Sequence, residues 1–214
     1  IKNISNHSVH QRIIKELKVR KYNFSKIIVA EALKIPSFTG KSISDLATKR
    51  NIDSEEMLLE VLTLAGGRVT VFEDNLSGAG MEALLRNPLS VVATNGPGFD
   101  NNQAGDSLAH PRSFGSFPRF LGLIREKKLM SWPEAIQKIT SGPAQKIGLR
   151  KRGLIKKGYF ADLVIFNPDL VNSPATLTNP YLQPEGIEFV ILNGKLVVEN
   201  SRFNGVLAGQ IFKR

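Results

Sequence analysis

Residues 91–119 have the greatest potential for chemistry in this sequence. An apolar run at 91–93 leads through Thr94 into Asn95-Gly96, and a polar loop follows that carries His110 and Arg112. A strand that ends in such a loop brings polar side chains to the rim of a sheet or barrel, where α/β enzymes hold their active sites. The spacing therefore predicts an active-site rim, with Asn95, His110 and Arg112 as its candidate residues.

The amino-acid composition limits what this rim can do. The sequence has no cysteine, so it offers no thiolate nucleophile, no disulfide and no sulfur ligand for zinc. Any metal ion would have to be held by His, Asp, Glu or a modified Lys. With 214 residues, of which 42% are hydrophobic and 22% charged, the chain has the composition of a globular protein with one or two cores.

The chain is strongly basic, with a formal net charge of +10 and a pI near 9.9. Nucleic-acid-binding proteins often carry such a charge, but here the basic residues are spread along the sequence. The densest stretch, Arg150-Lys151-Arg152 with Lys156-Lys157, lacks the interleaved aromatic residues of a base-stacking surface. We interpret it as a solvated loop, with a phosphate-binding patch as the alternative. The sequence therefore does not favour nucleic acid as a partner.

No apolar run is long enough for a transmembrane helix, and residues 1–7 lack the apolar segment of a signal peptide. We therefore expect no membrane association and a cytoplasmic location. The sequence begins with Ile1 rather than Met. We expect that the residues before it were removed or are encoded elsewhere.

Strands alternate with helices up to about residue 150, which is typical of parallel βα units. The predicted strands are 26–31, 69–73 and 89–93, because each is short, apolar and rich in β-branched residues. The predicted helices cover 9–20, a pair that begins at Ser42 and Asp53, about 80–86, 117–127, and a last helix in which Ser131 and Glu134 have capping-box spacing.

The pattern changes at Gly153, after which the strands 161–166 and 189–198 replace the alternation. Asn193-Gly194 lies within the second of these runs and predicts a hairpin turn. We therefore expect two domains, 1–150 and 151–214. A closed (β/α)8 barrel needs eight parallel strands, so three strands imply that five are missing if this is barrel material.

Several segments in a fixed order resemble one known family. The sequence resembles the C-terminal part of N-acyl-D-amino-acid deacylases (D-aminoacylases), which are metal-dependent amidohydrolases. The segments that carry the resemblance are His110-Pro-Arg-Ser-Phe-Gly-Ser-Phe-Pro-Arg119, Gly153-Leu-Ile-Lys-Lys-Gly-Tyr-Phe-Ala-Asp-Leu-Val164, Pro184-Glu-Gly-Ile-Glu188 and Val190-Ile-Leu-Asn-Gly194.

The resemblance implies an α/β fold: the last three βα units of a TIM-type (β/α)8 amidohydrolase barrel at 1–150, then the C-terminal strands of a small β-sandwich at 151–214. It implies hydrolysis of a non-peptide amide C–N bond in a small N-acyl amino acid, with zinc as the cofactor of the intact enzyme. The family's His and Cys zinc ligands should lie before Ile1. We therefore expect no metal on this chain alone, and an upstream N-terminal half of the barrel or a complementing chain as partner.

By the same resemblance, 89–93 is the last barrel strand, and the family has Asp-Gly where this chain has Asn95-Gly96. In the family that Asp moves a proton from the attacking water to the leaving nitrogen. An amide cannot accept and return a proton near neutral pH, so we expect this chain to lack the general base. Asp100 or Asp106 in the following loop could substitute for it. Spontaneous deamidation of Asn95 before Gly96 could also regenerate an aspartate.

Arg112 matches the family arginine that binds the substrate carboxylate, a task that suits a planar guanidinium. The alternative is an arginine that ties the loop to backbone carbonyls. His110 is a weaker candidate, which either orients the loop, approaches the metal pocket or is purely structural. We interpret His7 and His10 as helix-surface residues despite their i, i+3 spacing, and Asp162 as a turn and strand-register residue.

Three hypotheses follow for the function. In the first, the chain is the C-terminal part of a zinc-dependent amidohydrolase and is inactive in isolation. In the second, it is a degenerate or truncated homologue that keeps the fold without catalysis. The third, a basic nucleic-acid-binding protein, rests on net charge alone. The sequence does not indicate which acyl group or amino-acid side chain is accepted.

Overall fold

The computed structural model of the protein describes residues 4, 6–98 and 107–212. These residues form two compact units. The first unit takes the described residues of Ile1–Leu76, Gly98–Pro111 and Thr176–Tyr181, and the second those of Ser77–Pro97, Arg112–Ala175 and Leu182–Arg214. The predicted domains, 1–150 and 151–214, divide the chain differently and stay a prediction.

The first unit has helices on a single pair of strands. Val29, Ile43, Met57 and Val61 are fully buried at its centre, as the apolar spacing of 57–65 predicts for the last helix. Its elements are α1 (His7–Arg20), a 3-10 turn (Phe24–Lys26), β1 (Ile27–Glu31), a second 3-10 turn (Pro36–Phe38), α2 (Ile43–Arg50), α3 (Ser54–Leu64) and β2 (Thr70–Glu73).

The two predicted capping residues of this unit behave differently. Ser42 Oγ accepts a hydrogen bond from the Asp45 amide at 3.0 Å, so the predicted cap of α2 is confirmed. Asp53 stands at the N-cap of α3 but makes no capping hydrogen bond. Its carboxylate instead lies 2.8 Å from Lys18 Nζ. The side chain is therefore used to join α1 to α3.

β1 and β2 pair in the antiparallel direction, with Ile27 opposite Glu73 and Val29 opposite Val71. The predicted parallel relation of these two strands is therefore wrong. Alternation of strands and helices indicates parallel pairing only when the connection crosses over the sheet. The connection from 32 to 69 is long enough to return the chain in either direction, so the sequence pattern does not fix the direction.

The second unit has a helical core and a four-stranded antiparallel sheet in the order β3-β4-β5-β6. Phe120, Leu121 and Ile124 of one helix are buried with Ala135 and Val171. Its elements are α4 (Gly78–Arg86), α5 (Arg112–Lys127), α6 (Trp132–Ile139), α7 (Ser141–Lys146), β3 (Leu163–Phe166), β4 (Ile187–Leu192), β5 (Lys195–Glu199) and β6 (Arg202–Phe203).

The predicted hairpin at Asn193-Gly194 is confirmed, since these residues join β4 to β5 with φ angles of 50° and 77°. A two-residue hairpin turn needs positive φ at both positions, which Asn and Gly tolerate. One row of directly paired residues crosses all four strands, so its side chains share one face of the sheet. The row consists of Val164, Val190, Val198 and Phe203.

Residues 89–93 form no strand, contrary to the prediction. Their backbone is instead tied to the end of α6, because the Val92 amide donates to the Lys138 carbonyl at 3.1 Å and Lys138 Nζ donates to the Ser90 carbonyl at 3.0 Å. Val92 packs against the core of the second unit. Val91 and Val92 are half-buried, whereas Leu89 is 78% exposed, so the apolar run predicts burial only in part. Among the described residues, no neighbouring strand completes a ladder with it.

Across residues 4, 6–98 and 107–212, no helix combines the length and the apolar character that crossing a bilayer requires.

Candidate functional site

Asn95 and Arg112 lie together in the second unit. Arg112 Nη1 donates a hydrogen bond to Asn95 Oδ1 at 3.1 Å, although the two residues are 17 positions apart. Both side chains are exposed. Asn95 is a neutral acceptor, so this bond orients the guanidinium without neutralising its charge. Two of the three predicted site residues are therefore neighbours, although no strand precedes Asn95.

Thr94 links the same two segments through the backbone. Its hydroxyl donates to the Arg112 carbonyl at 3.2 Å and accepts from the Gly96 amide at 3.1 Å. Gly96 also lies against the start of α5, where a Cβ would come within 2.7 Å of Ser113 Cα and 2.9 Å of the Arg112 carbonyl oxygen. Only glycine fits at position 96 without displacing this backbone.

Helix α5 places Arg112 at its first residue, five positions earlier than the predicted start at 117. The helix is interrupted at Gly115, whose φ and ψ of −142° and 16° are not helical. Because of this break, Pro118 lies within the first turn of the continuing helix, where a missing N–H costs little. A Cβ on Gly115 would meet Ser173 Oγ at 1.9 Å, so this glycine lets the helix pack closely against residue 173.

His110 lies in the first unit and is half-buried. Its ring is edge-on to Phe72, with 5.2 Å between the centroids. The segment before it is fixed by Tyr181, whose hydroxyl donates to the Ser107 carbonyl at 2.9 Å and accepts from the Ala109 amide at 3.3 Å. Sequence reasoning missed Phe72 and Tyr181, because both are far from His110 in the sequence and no spacing pattern relates them to it. The role proposed for His110 stays a prediction.

The other histidine prediction concerns α1. His10 Nε2 lies 2.7 Å from Glu56 Oε2 of α3, within the first unit. The contact joins two helices, as expected of a histidine on a helix surface.

Asp162 holds a turn of the second unit in register. Its Oδ1 accepts from the Asn193 amide at 2.8 Å, and its other oxygen pairs with Arg152. The guanidinium carbon of Arg152 lies over the rings of Phe160 and Phe212, at 4.2 Å and 5.0 Å from the ring centroids. These contacts agree with the turn and register role expected for Asp162.

The interpretation of 150–157 as a solvated basic loop is wrong for Arg152, whose side chain is only 8% exposed. The two phenylalanines and Asp162 provide the contacts that remove it from water. Arg150, Lys151, Lys156 and Lys157 are exposed, as predicted. The Phe160-Ala161-Asp162 sequence, close to a basic residue, was the signal for this ion pair.

The described residues do not form a site with the ligands that a zinc ion requires. Within 4, 6–98 and 107–212, no three His, Asp or Glu side chains come together as a metal site would require. At position 95 the oxygen that could face a metal is a neutral amide oxygen that already accepts from a cationic guanidinium. Asp100 and Asp106, the possible substitutes for a general base, lie outside the described residues.

The chain is similar to known deacylases over most of its length. A model described as the amidohydrolase family matches residues 42–198. N-acyl-D-aspartate deacylase of Alcaligenes xylosoxydans xylosoxydans is 30% identical over 188 residues, which cover 87% of this chain and 36% of that protein. D-aminoacylase of the same organism is 29% identical over 190 residues, which cover 88% of this chain and 37% of that protein.

Two solved structures have a similar mixture of helices and strands. A D-aminoacylase described as defining a novel subset of amidohydrolases superposes with a TM-score of 0.74 at 26% identity, over 88% of this chain and 38% of its own. N-acyl-D-glutamate deacylase of Bordetella bronchiseptica, complexed with zinc and a phosphonate inhibitor, superposes with a TM-score of 0.69 at 27% identity. This match covers 92% of this chain and 40% of that one. This chain therefore spans well under half the length of the relatives that it matches.

Proposed function

Because the chain belongs to the amidohydrolase family, we propose that it is the C-terminal portion of an enzyme that hydrolyses the amide bond of an N-acyl-D-amino acid. The observation that carries this proposal is the hydrogen bond between Arg112 and Asn95 inside the matched region. By the resemblance, position 95 corresponds to the family's aspartate, and the bond supports a role for the neighbouring guanidinium in the same site. The named substrates of the relatives, N-acyl-D-aspartate and N-acyl-D-glutamate, each contain the carboxylate that an arginine can bind.

In this proposal Arg112 binds the α-carboxylate of the substrate. A guanidinium offers two parallel N–H donors to a carboxylate, which fixes orientation as well as affinity. The neutral Asn95 and the start of α5 hold the side chain in position. The alternative role, in which arginine only ties the loop to the backbone, would leave substrate affinity unchanged on substitution.

We further propose that residues up to about 150 belong to a metal-bearing (β/α)8 barrel and that 151–214 belong to a β-sandwich. The superposition on D-aminoacylase supports this assignment. Zinc, when bound in such an enzyme, would activate the attacking water. Since the described residues do not supply its ligands, we assign the metal site to an upstream segment or a complementing chain.

A chimera tests this function. The part of N-acyl-D-aspartate deacylase that precedes its similarity to this chain would be joined to residues 1–214. Zinc content and the release of free D-amino acid from N-acetyl-D-aspartate, N-acetyl-D-glutamate and N-acetyl-D-leucine would then be measured. We expect Asn95→Asp to raise kcat by about 10²–10⁴-fold over the unchanged chimera, the usual contribution of a general base.

A zinc-loaded, folded Asn95→Asp chimera without hydrolysis of any of these amides would refute the proposal. Asn95→Ser is the matched control, because it removes the amide without adding a carboxylate. We expect it to leave kcat as low as in the unchanged chimera.

The second candidate is a homologue that binds but does not hydrolyse, and Asn95 itself favours it. Its signature would be calorimetric binding of N-acyl-D-amino acids by the zinc-loaded chimera, with no turnover before or after Asn95→Asp.

A further inference from the structure

The Asn95-Gly96 pair is a chemically reactive site. An asparagine side chain followed by glycine loses its amide more readily than one followed by any other residue, because no side chain shields the next backbone nitrogen. Asn95 is exposed, and its two neighbours in the chain bond to Arg112 or to each other. We infer that the folded chain promotes the conversion of Asn95 to aspartate.

Arg112 increases the electrophilic character of the Asn95 side chain. Its Nη1 donates to Asn95 Oδ1 at 3.1 Å, which is the oxygen that gains negative charge when a nucleophile adds to Cγ. A cationic donor on that oxygen stabilises the developing charge, as the donors of an oxyanion hole do. The bond therefore favours attack at Cγ.

Thr94 acts on the nucleophile. The Gly96 N–H donates to Thr94 Oγ1 at 3.1 Å, and the same hydroxyl donates its own proton to the Arg112 carbonyl at 3.2 Å. A hydroxyl that donates is a better acceptor, because hydrogen bonds in a chain polarise one another. The Gly96 nitrogen is thereby made more electron-rich. One residue, Arg112, therefore supports both reacting groups.

The conversion has two steps, and neither involves oxidation or reduction. The Gly96 nitrogen attacks Asn95 Cγ and loses the proton that it donates to Thr94 Oγ1, which passes to solvent through that hydroxyl. The Cγ–Nδ2 bond breaks as the side-chain nitrogen takes up a proton and leaves as ammonia. The product is a cyclic imide. Water then adds at Cγ, the bond between Cγ and the Gly96 nitrogen breaks, and a proton from the water restores the Gly96 N–H. The backbone is thereby restored, and a carboxylate is left at position 95.

The close fit of Gly96 favours aspartate over isoaspartate. Opening the imide at the main-chain carbonyl gives isoaspartate, which adds one carbon to the backbone between 95 and 96. Gly96 already lies against Ser113 and the Arg112 carbonyl so closely that no Cβ fits. A longer backbone there would have to displace the start of α5.

The sequence contains two further Asn-Gly pairs, which serve as internal controls. Asn193 also accepts from an arginine, Arg152, at 2.5 Å, but its Nδ2 donates to the Ala208 carbonyl and its backbone is fixed in the β4–β5 turn. Among the described residues, the Asn204 side chain accepts from the Val206 amide and donates to the Leu196 carbonyl, both of which are backbone groups. Neither site therefore combines a side-chain carbonyl that accepts from an arginine with an exposed backbone outside a strand or hairpin turn.

The new carboxylate would stand beside Arg112 at the position of the family's proton-transferring aspartate. Its catalytic value rests on the proposed function, whereas the chemical conversion does not. A chain made with an amide at position 95 would thus acquire its general base with age.

Peptide mapping of the full-length chain tests the conversion. Folded protein and protein unfolded in urea would be incubated at neutral pH, and the amide-to-acid mass change at each Asn-Gly pair would be followed with fragmentation that separates aspartate from isoaspartate. We expect the folded-to-unfolded rate ratio to be about tenfold higher at Asn95 than at Asn193 or Asn204, the effect of one charge-assisted hydrogen bond. Aspartate should be the main product at Asn95.

Two variants assign the cause. Arg112→Leu and Thr94→Val should each lower the conversion rate at Asn95 and leave the rate at Asn204 unchanged. Arg119→Leu, which removes another exposed arginine of α5, should change neither rate. Equal folded-state rates at Asn95 and Asn204, an Asn95 rate indifferent to Arg112→Leu, or isoaspartate as the main product would each overturn the inference. Conversion without deacylase activity in an aged chimera would instead refute only the proposed function.

Discussion

Gly96 and Arg112 illustrate how single residues create the candidate site. Arg112 is positioned by a bond to a side chain 17 residues away, and Gly96 makes room for the backbone that carries it. Asn95 and Arg112 were predicted as site residues from their types and from their place after an apolar run. The sequence could not predict their contact, because no periodicity fixes a distance across an irregular loop.

Replacing Gly96 with alanine should destabilise the chain. The new Cβ would lie 2.7 Å from Ser113 Cα, and relieving that overlap should cost about 1–3 kcal/mol of unfolding free energy. Urea unfolding would measure it as a lower midpoint at unchanged slope. Gly98→Ala is the matched control, because no atom of the described residues lies within 4 Å of its Cβ position, and we expect no loss of stability. Equal midpoints for the two variants would contradict the packing argument.

Arg112→Lys in the chimera should raise KM for N-acetyl-D-aspartate by about tenfold with little change in kcat, because an ammonium cannot reproduce bidentate binding of a carboxylate. Steady-state kinetics would measure this. Arg119→Lys, on the same helix, should leave KM unchanged. An unaltered KM in Arg112→Lys would favour the role in which the arginine only holds the loop.

Among the elements, those with strong local signals match their predictions. The capping box of α6 is present as predicted: Glu134 Oε2 accepts from the Ser131 amide at 2.9 Å, and Ser131 Oγ accepts from the Glu134 amide at 3.4 Å. The β4–β5 turn likewise follows from Asn193-Gly194. Predictions failed where direction or pairing depends on distant partners, as for β1 with β2 and for residues 89–93.

The capping box should make stability depend on acid pH. Hydrogen bonds from the Ser131 side chain and backbone lower the pKa of Glu134 below its usual value near 4.5. A lowered folded-state pKa contributes stability that is complete above the unfolded pKa and is lost as the pH falls through the folded one. The difference in unfolding free energy between the native chain and Glu134→Gln should therefore shrink below about pH 4.5.

Urea titrations from neutral to acid pH would measure this difference. At neutral pH, Ser131→Ala should cost about 1 kcal/mol, whereas Ser131→Thr, which keeps a hydroxyl, should cost less. If the difference in unfolding free energy between the native chain and Glu134→Gln stayed constant across the acid range, the capping carboxylate would not be the source of that difference.

For the molecule as a whole, the sequence predicted a mixed helix and strand protein of the deacylase family. It did not predict the two compact units, because each is assembled from segments far apart in the chain, such as Thr176–Tyr181 with the first 76 residues. Short-range patterns do not carry such long-range information.

We expect only weak, salt-sensitive binding to DNA. Several cations of the described residues are paired with carboxylates inside their own unit, for example Lys18 with Asp53 and Arg119 with Glu126, so the charge of +10 does not by itself predict a continuous cationic surface. Fluorescence anisotropy with mixed-sequence duplex should give a Kd no tighter than about 10⁻⁶ M at physiological salt. Tighter binding at that salt concentration would favour the nucleic-acid hypothesis.

The isolated chain should self-associate through the sheet of the second unit. Val164 and Phe203, at the ends of the paired apolar row, are 54% and 62% exposed on its two edge strands. Sedimentation velocity should show association that increases with protein concentration. The Phe203→Lys variant should associate less than the unchanged chain at the same concentration. Leu33→Lys, at an exposed site of the first unit, should have no such effect. A monodisperse monomer would contradict this expectation.

The stacking of Phe212 on Arg152 makes the heat stability of the second unit depend on a single aromatic contact. The Phe212 ring centroid lies 5.0 Å from the guanidinium carbon of Arg152, whose side chain is almost fully buried. Loss of this ring would open one side of the Arg152–Asp162 pair to water. The thermal unfolding of the second unit would then report whether this contact is intact.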